Sequence, residues 1–133
     1  MQAQMDGQTK SFQGLESARF DPLSLWERVN GDMDLLRDLV ELFAVEYPGL
    51  LLNIKNAIDR GSSVDVQRFS HKLKGSALQF SGKLAVAAAG ELEEMGRTES
   101  LGGADQVLVT LKFEVLRLME ALNTMIGSER PVM

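Results

Sequence analysis

Apolar residues recur at spacings of three and four along most of the chain, as they do in amphipathic helices. Four long helices are predicted from this pattern. Asp21 followed by Pro22 predicts the start of a short helix before them, because Asp caps helices well and Pro is tolerated at the first helical position. No stretch alternates in the way that a strand does. The predicted helices cover about residues 22–30, 33–60, 64–80, 84–95 and 105–126.

Several residues predict where these helices end or bend. Pro48 lies inside the second helix and should kink it or split it, and Gly96 is expected to end the fourth. Ser81 and Gly82 should end or bend the third. Small residues dominate the fourth helix, which predicts that a neighbouring helix packs closely against it. These small residues are Ala85, Ala87, Ala88, Ala89 and Gly90.

The predicted fold class is all-α, an antiparallel four-helix bundle with a short additional N-terminal helix. The predicted connections are short, which favours antiparallel neighbours. Residues 21–127 form the bundle domain in this prediction. Residues 1–20 are rich in Gln, Ser and Gly and predict a flexible N-terminal tail or linker, and residues 128–133 predict a short C-terminal tail.

The composition excludes several kinds of chemistry and several classes of partner for this chain. The 133 residues include one histidine and no cysteine, which excludes disulfides, thiolate chemistry and metal sites built on cysteines or several histidines. A net charge of −5 argues against a nucleic-acid partner. No apolar run is long enough to span a membrane, and the first residues lack the features of a signal peptide. We therefore expect a cytoplasmic protein without membrane insertion.

The one histidine, His71, lies in the third predicted helix and points away from its apolar stripe. At 100° per residue, Phe69 and Leu73 fall on the opposite face. Gly75 lies one turn along, beside the imidazole, although a glycine inside a helix costs about 1 kcal/mol relative to alanine. It leaves space for another surface to approach the ring, and Lys74 adds a positive charge on the same side. An exposed imidazole, an ammonium and an open space suit a transferable phosphoryl group.

Basic residues are concentrated around this histidine. Between residues 60 and 83 five basic side chains stand against one acidic side chain, Asp65, so this segment carries +4 and the rest of the chain −9. Such a distribution predicts an acidic protein partner. The five basic residues do not share one face. They are Arg60, Arg68, Lys72, Lys74 and Lys83.

The stretch from His71 to Ala77 resembles the signature of histidine-containing phosphotransfer (HPt) domains. Its sequence, His-Lys-Leu-Lys-Gly-Ser-Ala, follows the family pattern His-x-Leu-Lys-Gly-Ser-Ser/Ala. The resemblance covers about residues 21–126, and its specific part lies in residues 70–97. One departure follows the motif, where Ser81-Gly82 stands in place of the Gly-Ala that the family often has.

This resemblance implies a phosphorelay intermediate, and not an enzyme with its own kinase or ATP-binding site. His71 would accept a phosphoryl group through Nε2 from a receiver-domain aspartate and pass it to another receiver. Lys74 would stabilise that group, and Gly75 would permit access. The implied partners are response-regulator receiver domains and a hybrid sensor histidine kinase. Mg²⁺ is expected in the receiver domain. We expect this chain to bind neither a cofactor nor a metal of its own, and to be a monomer. The implied partner-binding residues are Gln67, Arg68, Lys72, Leu78 and Gln79.

Two alternatives stay open from the sequence. The chain could be the phosphoacceptor domain of a chemotaxis-type histidine kinase, or a bundle that binds receivers without phosphotransfer. Glu91, Glu93 and Glu94 are adjacent acids that a solvated helix surface explains, and only the resemblance places Glu93 on the His71 side.

Overall fold

The computed structural model describes residues 20–128, and within this range the chain forms five helices and no strand. The predicted tails, residues 1–20 and 128–133, lie almost entirely outside the described residues. None of the described helices is both long and apolar enough to cross a bilayer. The helices are α1 (Pro22–Arg28), α2 (Met33–Arg60), α3 (Ser63–Leu78), α4 (Lys83–Arg97) and α5 (Ala104–Ser128).

The predicted fold class, a four-helix bundle with a short additional N-terminal helix, is confirmed. The four long helices form a ring in which α2 and α4 each pack against both α3 and α5. α3 and α4 run antiparallel, since Gly96 of α4 faces Gln67 early in α3 and Gly90 faces Lys74 later in it. Their apolar stripes meet in one core. Its largest fully buried side chains include Leu25, Leu36, Ile54, Leu73, Phe80, Leu92, Leu111, Leu118 and Leu122.

The short helix α1 covers one end of the bundle. Asp21 caps it by accepting a hydrogen bond from the backbone N–H of Ser24 at 3.2 Å, as the sequence predicts. Leu25 is fully buried in the core. Arg28, the last residue of the helix, donates a hydrogen bond to the carbonyl oxygen of Leu78 at 2.5 Å. These contacts hold α1 beside the end of α3.

Pro48 does not divide the second helix, so the expectation of a split is wrong: α2 is continuous from Met33 to Arg60. Proline lacks a backbone N–H and removes one hydrogen bond of the helix. Phe43 before it and Leu50 and Leu51 after it are all buried in the same core. Packing on both sides of the proline therefore outweighs the loss of one hydrogen bond.

The prediction that Gly96 ends the fourth helix is also wrong, because α4 continues to Arg97 and Gly96 is buried inside it. A Cβ atom at this position would lie 2.6 Å from the backbone nitrogen of Gln67 and 2.7 Å from the carbonyl oxygen of Ser63. The backbone of α3 thus crosses α4 here without room for a side chain. The close approach predicted from the small residues of α4 is confirmed, and its tightest contact lies at Gly96, beyond the last of them, Gly90.

The turn between α3 and α4 comes earlier than predicted. α3 ends at Leu78, before the Ser81-Gly82 pair that predicted its end or bend. Phe80 lies in the turn, yet it is buried, and its ring centroid lies 5.2 Å from that of Phe43. Ser81 has a left-handed φ of 57° and redirects the chain into α4. This geometry brings the first residues of α4 next to α1.

Candidate functional site

The helix α3 presents His71 on the outer surface of the bundle. Ser62 caps this helix by accepting a hydrogen bond from the backbone N–H of Asp65 at 3.4 Å. Leu73 and Ala77 are fully buried, and they set the rotation of the helix about its axis. The side chain of His71 is consequently 69% exposed. Its predicted outward orientation is confirmed.

Glu93 of α4 contacts two side chains of α3 at once. Its Oε2 lies 2.6 Å from Nδ1 of His71, and its Oε1 lies 2.5 Å from Nζ of Lys74. Only 19% of the Glu93 side chain is exposed. It follows the buried Ala89 by one helical turn and so borders the core face of α4. We call these three connected side chains the His71–Glu93–Lys74 triad.

The protonation of Glu93 determines which nitrogen of the imidazole is free. Lys74, and to a smaller extent His71, hold the pKa of Glu93 below its usual value, against the opposing effect of burial. The ionised carboxylate can only accept hydrogen bonds, so Nδ1 of His71 donates. A neutral imidazole then carries its lone pair on Nε2, the nitrogen that points away from Glu93.

The surface beside the imidazole is open at Gly75. A Cβ atom placed there would meet no atom within 4 Å, and the backbone of Gly75 has no positive φ. Neither packing nor backbone conformation inside the protein requires glycine. The helix tolerates a cost of about 1 kcal/mol at this position, and the result is a surface without a side chain next to the ring.

The side chain of Lys74 is not an isolated surface charge. Its ammonium is paired with Glu93, as described above, and its aliphatic stem crosses α4 at Gly90. A Cβ atom at Gly90 would lie 3.7 Å from Cδ of Lys74, which is ordinary van der Waals contact. The small-residue surface of α4 therefore lets this lysine reach the carboxylate.

The structure gathers some of the residues predicted to bind a partner around the imidazole. A shallow depression of about 390 Å³ lies beside His71 on the side of the α3 N-terminus. Gln67 and Arg68 line it, and the guanidinium of Arg68 lies 4.7 Å from the ring centroid of Phe69. The residues that line the depression are Val64, Gln67, Arg68, His71 and Glu93.

The other predicted partner-binding residues lie outside this depression. Lys72 is exposed on α3. Leu78 lies two turns from His71 on the same face and is 55% exposed. Gln79 is exposed at the start of the turn that follows α3. All three residues are exposed, and none of them lines the depression beside the imidazole.

The basic segment is partly neutralised by internal ion pairs. Arg60 and Arg68 both pair with Asp65, at 3.2 and 3.1 Å. Lys72 and Lys83 have no ion pair with any residue in the range 20–128. The positive charge available to a partner is therefore smaller than the sequence count suggests.

The sequence explained Glu93 as part of a solvated helix surface, and this interpretation is wrong. The family resemblance placed Glu93 on the same side of the bundle as His71, and this placement is correct. Glu91 is exposed, and Glu94 is exposed and paired with Arg97. The sequence did contain one signal for the position of Glu93, because it alone of the three acids lies one turn after Ala89, at the edge of the buried stripe.

Within residues 20–128, no three acidic or histidine side chains converge where a metal ion could bind.

Fold and site together define a four-helix bundle that presents a single imidazole at its surface. The model of the Hpt domain family matches residues 38–125, well over half of the chain, and the chain therefore belongs to this family. It is a histidine phosphotransfer domain of two-component signalling, a phosphocarrier and not a kinase. The partners of this family are response-regulator receiver domains.

Among solved structures, the chain is similar to histidine-containing phosphotransfer protein B (HptB) from Pseudomonas aeruginosa PAO1. The two are 19% identical, and their superposition has a TM-score of 0.77 and covers 84% of this chain and 97% of HptB. At this identity the match shows a shared fold. A comparison with curated proteins found no significant match.

Proposed function

We propose that this chain is a phosphorelay intermediate that accepts a phosphoryl group on His71 from a receiver-domain aspartate and passes it to another receiver. The observation that carries the proposal is the hydrogen bond between Nδ1 of His71 and Glu93, because it leaves the lone pair on Nε2. His71 is also the one histidine of the sequence. A family that transfers phosphoryl groups through histidine therefore has one candidate in this chain.

In the proposed transfer step, Nε2 of His71 attacks the phosphorus of the aspartyl phosphate. The Nε2–P bond forms while the bond between phosphorus and the aspartate oxygen breaks, and its electron pair leaves with the aspartate carboxylate. The proton on Nδ1 remains in the hydrogen bond to Glu93, and the positive charge that the ring gains lies against this carboxylate. Onward transfer is the reverse step, with the aspartate of a second receiver as the nucleophile.

Lys74 and Gly75 assist this step in different ways. The ammonium of Lys74 is held by Glu93 on the His71 side of the bundle. A phosphoryl group on Nε2 gives it a second anionic partner, and the charge-assisted contact stabilises the phosphohistidine. Gly75 contributes the open surface through which the receiver reaches the ring. Glu93 is a positioning residue, because it acts through His71 and Lys74.

The receiver supplies most of the catalytic electrostatics in this proposal, through its own acidic residues and Mg²⁺. The two bonds that change join only imidazole, phosphoryl group and receiver carboxylate, so the step needs no cofactor from this chain. We place the chain in the cytoplasm, as a monomer, between a hybrid sensor histidine kinase and a response regulator.

Transfer of radiolabelled phosphate tests this function. The chain is incubated with a panel of purified, phosphorylated receiver domains, beside a His71→Gln variant whose fold is checked by circular dichroism. We expect label on the wild type and none on the variant, in an adduct that is labile in acid and stable in alkali. No transfer from any receiver, or equal labelling of both proteins, would contradict the proposal.

A further inference from the structure

A cleft lies two helical turns from His71, where α1 packs over the end of α3 and the start of α4. It encloses about 260 Å³. Leu78, Val86 and Ala87 supply its apolar lining, and the two basic side chains Arg28 and Lys83 lie among them. We call it the Arg28–Lys83 cleft. Arg28 is absent from the residues that the sequence indicated, because α1 lies about 50 positions from Leu78 in the chain.

The cleft lies close enough to His71 to fall inside a partner surface that is centred on this residue. Leu78 follows His71 by seven residues, which is two helical turns on the same face and about 10 Å along the axis. Gly75 lies between them and adds no side chain. A protein interface of ordinary size covers about 800 Å² on each partner, a patch of about 16 Å radius. A receiver interface of this size that is centred on His71 therefore also covers the cleft.

The charge in the cleft is available to a partner. Most basic side chains in the described part of the chain are paired with carboxylates, but neither Arg28 nor Lys83 has such a pair within residues 20–128. One guanidinium nitrogen of Arg28 donates to the carbonyl oxygen of Leu78. This hydrogen bond holds the side chain at the mouth of the cleft and uses only one of the five N–H donors of the guanidinium.

The start of α4 adds to the positive potential at the same place. Its N-cap residue, Gly82, has no side chain that could accept a hydrogen bond from the first turn. The backbone N–H groups at the start of a helix carry partial positive charge. Arg28 and Lys83, which have no carboxylate partner within residues 20–128, and the positive end of α4 lie above an apolar lining. Together they match a carboxylate side chain that lies next to an apolar one.

We infer that the Arg28–Lys83 cleft is a second anchoring point for the receiver domain, which places an Asp or Glu and a neighbouring apolar side chain in it. This inference rests on the proposed function. All phosphorylated receivers bring the same reacting groups to His71, so contacts remote from the ring must distinguish them. The cleft thus contributes to the choice between receivers.

Binding measurements on charge-reversed variants test the inference. Lys83→Glu is the primary variant, because Lys83 is exposed and has no ion pair within the described residues. Arg28→Ala is a second variant that removes the other cation. Lys112→Glu is the matched control, since this exposed lysine lies on α5, outside the lining of the cleft. Calorimetry on the full chain gives Kd for each receiver domain that labels His71, and single-turnover labelling gives the transfer rate at saturation.

We expect Lys83→Glu to raise Kd about tenfold for at least one receiver, with a smaller effect at high salt. The transfer rate at saturation should change less than twofold, because the cleft does not touch the reacting atoms. Lys112→Glu should leave both quantities unchanged. Equal Kd values for Lys83→Glu and Lys112→Glu with every receiver that labels His71 would overturn the inference and leave the proposed function intact.

Two further outcomes would also overturn the inference about the cleft. A wild-type dimer in analytical ultracentrifugation that Lys83→Glu dissociates would identify a second copy of the chain as the occupant and overturn the inference. If no receiver labels the wild type, the proposed function fails, and the inference fails with it.

Discussion

Nδ1 of His71 and Oε2 of Glu93 lie 2.6 Å apart, although these residues are 22 positions apart in the chain and on different helices. Because the carboxylate is ionised and shared with Lys74, the ring donates from Nδ1 and keeps its lone pair on Nε2. One carboxylate thus orients both the imidazole and the ammonium of the site.

Substitution of Glu93 should slow transfer without unfolding the bundle. In Glu93→Gln the neutral amide no longer favours a proton on Nδ1 or holds the Lys74 ammonium by charge. We expect about a tenfold lower single-turnover rate of His71 labelling, equivalent to about 1.4 kcal/mol. Nitrogen NMR of the imidazole should report a larger fraction of rings with the proton on Nε2.

The matched control for this variant is Glu91→Gln. It removes the same charge from the same helix at an exposed position. Its labelling rate and imidazole spectrum should equal those of the wild type. If both variants lost rate equally, the slower labelling of His71 would result from the change in net charge and not from the loss of the triad.

The contribution of Glu93 to stability should depend on pH. Its pKa in the folded protein lies below the ordinary value of 4.5, first because of Lys74 and then because of His71. The contribution is therefore complete above the pKa of the unfolded chain and is lost as pH falls through the lower folded pKa. Urea unfolding should show wild type more stable than Glu93→Gln at pH 7, with a smaller difference at about pH 3. A difference that does not change with pH would contradict this assignment.

Substitutions at Gly75 should separate stability from transfer. Because no atom lies within 4 Å of the position that a Cβ would take there, Gly75→Ala should raise the free energy of unfolding, by about 1 kcal/mol. Gly75→Gln should fold equally well but slow the labelling of His71, because its side chain occupies the space beside the ring. Thermal unfolding and single-turnover labelling measure the two effects. A normal labelling rate in Gly75→Gln would refute the steric argument.

Replacement of Gly96 by alanine should have the opposite effect on stability to replacement of Gly75 by alanine. A Cβ there would lie 2.6 Å from the backbone of α3 at Gln67, so the two helices must separate. We expect Gly96→Ala to lower the free energy of unfolding by about 1–3 kcal/mol, the usual range for overpacking. Urea unfolding of the Gly75→Ala and Gly96→Ala variants side by side tests this contrast. A stabilised Gly96→Ala would mean that the helices do not approach so closely.

The sequence by itself determined the helical class of the protein and the outward direction of His71. Both follow from short-range periodicity, because buried positions such as Leu73 and Ala77 recur every three or four residues and set the rotation of the helix. The motif around His71 also carried the family resemblance, since its residues are contiguous.

Only the tertiary structure decided which side chains meet across helices. The distance from His71 to Glu93, the backbone crossing at Gly96 and the position of Arg28 beside Leu78 all join residues far apart in the chain. Pro48 also shows that sequence pattern alone is insufficient, because its local tendency to break a helix is overcome by core packing on both sides. Periodicity describes one helix at a time, whereas these contacts depend on the distance and rotation between two helices, which the packing of the whole core sets.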